Sequence, residues 1–274
     1  PLCSRQDMPR LLDEFDRSQT IPNIYVAVDS EVADPLRQRG YKVNQVGTES
    51  KIQIDQFSLR GKKKKQLRHA SHFGERQNCS VEELSWSQVN EQQVKDISLQ
   101  WIHSKGINNR EIRYSTRPAV FGDEWLVRKF YCFHEGRVIA YVFFDPYFSE
   151  GKLKGYCANI LRAYTDKSSN GALDFIVLEA MKKFRSEGVP ELSLGIAPFQ
   201  KLRPDPDERR IIRVISQLFY HYGNRLYSFK GLAYHKTRYR PIETPWYLCM
   251  KDVSLLRAYW GLLFGLKAIG RKEL

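Results

Sequence analysis

The sequence predicts a mixed α/β fold, a mostly antiparallel sheet flanked by helices, and three observations carry that prediction. Short stretches alternate apolar and polar residues with the period of a strand, as in NIYVAVD from Asn23 to Asp29. Longer stretches repeat apolar residues at helical spacing, most clearly Gly171 to Gly188, where Leu173, Ile176, Val177, Ala180, Met181 and Phe184 recur. The two patterns alternate along the chain instead of segregating. The 274 residues are 42% hydrophobic and 27% charged, enough to bury a sizeable core, which excludes a wholly disordered chain or a fibre.

The opening third reads as an amphipathic segment from Pro9 to Arg17, the strand Asn23 to Asp29, a polar helix from Val32 to Arg39 and a second strand from Lys51 to Phe57. Four lysines, Lys62 to Lys65, then precede a helix carrying Leu67, Ala70 and Phe73. Lysines in a first helical turn oppose the macrodipole and favour a nearby anion, although the run taken alone also suits a solvated surface. Ser80 to Ser85 is a short strand, and Gln88 to Lys105 a helix with Val89, Val94, Ile97, Trp101 and Ile102 as its apolar stripe. Strands follow at Lys129 to His134, Arg137 to Phe144 and Leu153 to Ile160, the first two joined by a tight turn at Glu135-Gly136. Gly188 stands where a helix C-terminal cap belongs, and Glu191 to Ile196 is a buried strand. After a loop from Lys201 to Asp207, Asp207 is placed to cap a helix from Glu208 to Tyr222 whose exposed side is expected to carry Arg209, Arg210 and Arg213. A strand from Trp246 to Met250 precedes an amphipathic tail from Ser254 to Lys272. The boundaries expected from this pass are 1–86, 87–250 and 251–274.

Charge narrows the partners. The net charge of +13 favours a polyanion or an anionic surface. The five cysteines, Cys3, Cys79, Cys132, Cys157 and Cys249, are scattered and form no C-x-x-C pair, so neither a zinc site nor a disulfide framework is expected. No 18-residue apolar run or signal peptide is present, and Pro1 at the first position leaves an upstream membrane domain open.

Four stretches then stand out together. Gly47-Thr48-Glu49-Ser50 leads through Phe57-Ser58-Leu59 into Gly61-Lys62-Lys63 and Leu67-Arg68. Asn159-Ile160-Leu161-Arg162 is followed by Gly171-Ala172-Leu173-Asp174-Phe175, and then by Leu194-Gly195-Ile196-Ala197-Pro198. Phe229-Lys230-Gly231-Leu232 precedes Lys236-Thr237-Arg238-Tyr239, Pro241 and Tyr247-Leu248. In this order, over residues 40 to 248, they resemble the C-terminal synthase domain of the phosphatidylglycerol lysyltransferases and alanyl-phosphatidylglycerol synthases. The order of elements from residue 88 also suits an acyltransferase fold of the GNAT kind.

The resemblance implies two tandem GNAT-like domains, the second one catalytic. It implies transfer of an amino acid from aminoacyl-tRNA to a hydroxyl of an anionic membrane phospholipid, with neither metal nor coenzyme A as cofactor. Lys236, Arg238 and Arg162 match the motif positions of a cationic clamp, the arrangement a tetrahedral oxyanion needs. Asn159, Glu243, His235 and Asp174 are the candidate substrate-binding residues, His235 also as a general base, and Lys62, Lys63, Lys64, Lys65 and Arg68 the candidate phosphate or nucleic-acid contacts. Two departures bear on the substrate. The family's Asp stands as Asn159, which lacks the charge that holds an α-ammonium. The final motif reads Pro241-Ile242-Glu243-Thr244-Pro245-Trp246-Tyr247 in place of Pro-x-Trp-Glu-x-Arg-Tyr, leaving Glu243 displaced by one position.

Coenzyme A loops place a Gly-rich turn at a helix N-terminus; Lys167-Ser168-Ser169-Asn170-Gly171-Ala172 fits only at its end. The aromatics from Phe219 to Tyr239, interleaved with Arg225, Lys230, Lys236 and Arg238, suit either stacking on an unpaired tRNA end or an ordinary core with a basic rim. The tail, with Leu255, Leu256, Tyr259, Trp260, Leu262, Leu263, Phe264, Leu266 and Ile269 flanked by Arg257, Lys267, Arg271 and Lys272, reads as an interfacial helix. The expected location is therefore cytoplasmic, peripheral at the inner membrane surface. Two further readings stay open: a tRNA- or acyl-CoA-dependent transferase with a soluble acceptor, and a non-catalytic module that binds nucleic acid or anionic membrane.

Overall fold

The computed structural model describes residues 3–104, 117–165, 169–222 and 228–265. The chain divides into two compact units that interleave in sequence: Pro1–Glu49, Ile196–Ala233 and Glu243–Leu274 form the first, Ser50–Gly195 and Tyr234–Ile242 the second. The expected boundary at 86/87 lies within the unbroken stretch of the second unit.

The first unit holds α1 (Met8–Ser18), β1 (Ile24–Val28), α2 (Ser30–Gln38), most of β2 (Lys42–Gln53), the last residues of β7 (Glu191–Pro198), α7 (Arg210–Tyr222), β8 (Ile242–Met250, from Glu243 onward) and α9 (Leu255–Gly265). Its strands lie in the order β1, β8, β2, with β1 antiparallel to β8. Met8, Leu12, Val32, Ala33 and Leu36 of α1 and α2 pack with Val43 and Cys249. Leu248, Met250, Val253 and Ala258 form a second cluster, which Ile212 of α7 joins.

β2 starts nine residues before the strand expected at Lys51 to Phe57 and ends four residues before its end. The pattern hid it because Asn44, Gln45, Thr48, Glu49 and Ser50 are buried although polar. The Asn44 side chain exchanges hydrogen bonds with the backbone of Arg209, at 3.1 and 3.2 Å, and Gln45 accepts from the Arg203 amide at 2.9 Å. Their burial is satisfied by the 201–209 loop. Asp207 does not cap α7; its carboxylate pairs with Arg37 at 3.2 Å, and the helix starts at Arg210.

The exposed side of α7 also differs from expectation. Arg209 donates to the Val253 carbonyl at 2.7 Å and Arg213 pairs with Glu208 at 2.8 Å, both part-buried. Arg210 is exposed as expected, and Ile211, Val214, Ile215, Leu218 and Tyr222 are exposed too. At helical spacing they make one apolar stripe.

The second unit carries the hairpins. β3 (Cys79–Glu83), β4 (Arg128–His134), β5 (Arg137–Ser149) and β6 (Lys152–Ala163) pair antiparallel in that order, and β7 joins β6 in parallel. Glu135-Gly136, at φ 49° and 75°, and Glu150-Gly151, at 50° and 71°, supply the paired left-handed residues that two-residue hairpins need. α3 (Lys65–Ser71), α4 (Phe73–Gln77) and α6 (Ala172–Ser186) cover one face through Leu67, Phe73, Phe175, Ile176 and Phe184. α5 (Glu91–His103) covers the other, Val94 and Ile97 packing with Tyr131, Tyr141, Phe143 and Ile160. α8 (Phe229–Thr237), absent from the sequence reading, runs from the first unit into the second.

Candidate active site

Register decides which side chains share a face. On β5, Tyr141, Phe143 and Asp145 alternate onto the α5 side, opposite Arg162, Ile160 and Cys157 of β6. The register slips between Phe143 and Phe144, so Asn159 is the extra residue of a β-bulge. Arg162 is 2% exposed, its guanidinium 4.9 Å from the Trp101 ring centroid on α5. A cation stacked on an indole keeps its charge with little hydration.

β7 pairs with β6 from Glu191 to Ser193, against Gly155 to Cys157, and Gly195 then takes φ 75°. A β-carbon at Gly195 would lie 3.5 Å from Lys236 Nζ and 3.9 Å from Cys157 Sγ. The Lys236 ammonium, on a residue that is only 6% exposed, and the Cys157 thiol thus both flank Gly195, and Cys157 faces Asp145 across β5 and β6.

The rest of that C-terminal motif is held by one carboxylate. Asp174, in the first turn of α6, accepts from the Tyr239 hydroxyl at 2.7 Å, His235 Nε2 at 2.9 Å and Arg238 at 2.8 Å. Burial pushes its pKa up, but the bonds from His235, Arg238 and Tyr239 outweigh this and hold the carboxyl below its ordinary value. The same environment, burial first and the Asp174 charge next, raises the Tyr239 phenol well above its usual range. Asp174 and His235, expected as substrate-binding residues, are bonded to each other and brace the 235–239 segment. Arg238 shares this brace.

Asn159 donates to Asp145 Oδ2 at 2.6 Å, and Arg117 grips Asp145 with Nε at 2.9 Å and a terminal nitrogen at 2.7 Å. Arg117 also pairs with Glu124 at 2.9 Å, which reaches Lys129 at 3.0 Å. The sequence reading missed Asp145 because it ended the strand at Phe144. An acid directly after the apolar run RVIAYVFF was the available signal.

Residues 1–250 match the family model described as phosphatidylglycerol lysyltransferase, C-terminal. The chain belongs to that family. It is 24% identical over 253 residues to a phosphatidylglycerol lysyltransferase of Bacillus subtilis (strain 168), covering 88% of this chain but only 28% of that protein. The chain therefore spans little more than a quarter of the length of this curated relative. Its fold is similar to the crystal structure of the C-terminal domain of a protein assigned as a lysylphosphatidylglycerol synthetase from Agrobacterium fabrum, with TM-score 0.71 and 21% identity over 95% of this chain and 78% of the other. The structure of L-PGS from Bacillus licheniformis gives TM-score 0.71 and 18% identity over 97% and 80%.

The remaining candidate positions lie elsewhere in the sequence. Lys62, Lys63 and Lys65 are exposed, while Lys64 donates to the Ser58 carbonyl at 2.8 Å and lies 4.0 Å from the Phe57 ring centroid. Arg68 ties the carbonyls of Leu59 and Gly61 at 2.7 and 2.6 Å. Phe57 packs on Tyr239 at 6.3 Å, so the lysine turn adjoins the Asp174 brace. Glu243 belongs to the first unit, where it pairs with Lys201. Lys167, Ser168, Arg225 and the tail beyond residue 265 lie outside the described residues.

Proposed function

We propose that the chain is an aminoacyltransferase that moves an amino acid from aminoacyl-tRNA to a hydroxyl of phosphatidylglycerol at a membrane surface. The observation that carries this reading is the buried Lys236 ammonium that flanks Gly195 together with the Cys157 thiol, whose strand face also carries Arg162 and Asp145. An aminoacyl ester is already activated, so positioning and charge stabilisation suffice. The acceptor oxygen attacks the ester carbonyl, Lys236 stabilises the resulting oxyanion, and the bond to the tRNA ribose breaks. The proton leaving the lipid hydroxyl ends on the ribose oxygen. Arg162 supplies a second cation on that face for a phosphate of either substrate.

Surface features support the two partners. Lys62, Lys63 and Lys65, next to the Phe57–Tyr239 contact, offer cations to the tRNA backbone. Leu256 and Trp260 of α9 are exposed while Ala258 is buried, and the apolar stripe of α7 is exposed as well, with Arg210 and Arg257 beside them. Amphipathic helices with cationic edges bind anionic bilayers peripherally. Among the described residues, no helix is long and apolar enough to cross a membrane.

Incubation with a mixture of charged tRNAs and phosphatidylglycerol vesicles, followed by mass spectrometry of the extracted lipid, tests the reading. An added aminoacyl mass that disappears after ribonuclease treatment is expected. Product formed without tRNA, or product confined to the aqueous phase, contradicts it.

A further inference from the structure

Asn159 has a carboxylate beside it on the next strand. Asp145 faces Cys157 across β5 and β6, and the Cys157 thiol and the Lys236 ammonium both flank Gly195. Asn159, the bulged residue, reaches across to it at 2.6 Å.

The hydrogen-bond inventory shows what this pair offers a ligand. A carboxylate has about four acceptor sites, two on each oxygen. Among the described residues, Asp145 Oδ2 takes Arg117 Nε and Asn159 Nδ2, while Oδ1 takes only the Arg117 terminal nitrogen, leaving one site open. Because the Asn159 amide points its NH2 at Asp145, its Oδ1 is presented as an acceptor and has no described partner. The Asp145 side chain is 23% exposed, so its carboxylate is only partly hydrated. An open lone pair on a carboxylate next to an oriented amide oxygen matches a primary ammonium, which has three donors and no acceptor.

We propose that Asp145, oriented by Asn159 and Arg117, is the carboxylate that binds the α-ammonium of the aminoacyl donor. This rests on the aminoacyl-transfer reading for the donor's identity, while ammonium binding itself is measurable without turnover. Asp145 is a binding and specificity residue, and Arg117 is a positioning residue that balances its charge in the empty site.

The test uses the full chain, with alaninamide and lysinamide as probes and N-acetylalaninamide as the control lacking an ammonium. Calorimetry should give binding of both amides and none of the acetylated control. Asp145→Asn should weaken amide binding at least tenfold. The exchange of both residues, Asp145→Asn with Asn159→Asp, returns a carboxylate and an amide to the same two positions and should restore binding to within a few-fold. If Asp145→Asn alone does not fold, the exchanged variant carries the test, and a folded exchange that binds no amide overturns the proposal. It is equally overturned if the wild-type chain fails to distinguish alaninamide from its acetylated form, or if Asp145→Asn binds as the wild type does. The parallel transfer assay separates the two readings. Turnover that survives Asp145→Asn unchanged removes this assignment and leaves aminoacyl transfer standing. Selective amide binding lost in Asp145→Asn, in a chain that never turns over aminoacyl-tRNA, does the reverse.

Discussion

Asp174 is 5% exposed and surrounded by three donors. A carboxylate in that setting is stable only while its partners remain, and removing the charge leaves Arg238 without its counter-ion. Asp174→Asn should therefore lower stability by about 3 kcal/mol, read as a shift in the urea midpoint at neutral pH. The sign of the pH effect follows from the direction of the shift. A pKa held below the ordinary carboxylate value means that the stabilisation is complete above that value and is lost as pH falls through the lowered one. The gap between the wild-type chain and Asp174→Asn should accordingly close in acid, and a gap independent of pH contradicts the assignment. Sequence alone placed Asp174 in a motif, but not its role. Its partners His235, Arg238 and Tyr239 lie over sixty residues away, and no pattern in the chain records that they converge.

At the scale of elements, the site depends on how closely β6 and β7 approach. A β-carbon at Gly155 would overlap the Glu191 carbonyl oxygen and lie 2.7 Å from the Tyr147 hydroxyl. Gly155→Ala must therefore push the two strands apart at the pairs that precede Cys157. The expected result is a loss of roughly 1–3 kcal/mol in a denaturation experiment, accompanied by reduced transfer, since misplacement of about 1 Å is costly in catalysis. A variant as stable and active as the wild type would show that the close approach is dispensable. The hairpin β4–β5 was legible because Glu-Gly turns and apolar runs follow simple periods, and α6 because its stripe and Gly188 agree. β2 was not, since its buried Asn44 and Gln45 read as surface residues. The polar loop that satisfies them lies 158 and 165 residues later. Arg209 and Arg213 were misplaced for a related reason: both find partners within the fold, while the apolar stripe stays exposed.

At the scale of the whole molecule, the net charge of +13 implies binding to anions that weakens with salt. Replacing Lys62, Lys63 and Lys65 by alanine should reduce the slope of log affinity for tRNA against log salt by roughly 0.7–0.9 per charge removed, measured by filter binding. An unchanged slope would take the lysine turn out of the tRNA contact. Leu256→Asp should lower sedimentation with phosphatidylglycerol vesicles about tenfold or more, while retention of full binding would assign the membrane contact elsewhere. Family membership and the mixed α/β fold were readable from four ordered motifs. The interleaving of the two units was not, because Tyr234 to Ile242 returns to the second unit through contacts that no local pattern announces.

The central claim is that the ammonium of Lys236 stabilises the charge that develops during aminoacyl transfer. Its most direct test is the single-turnover rate of transfer from prebound aminoacyl-tRNA to phosphatidylglycerol by Lys236→Met, compared with the wild-type chain at saturating tRNA. The account predicts a rate lower by about 10²–10³-fold with tRNA affinity little changed. A rate within a few-fold of wild type contradicts it.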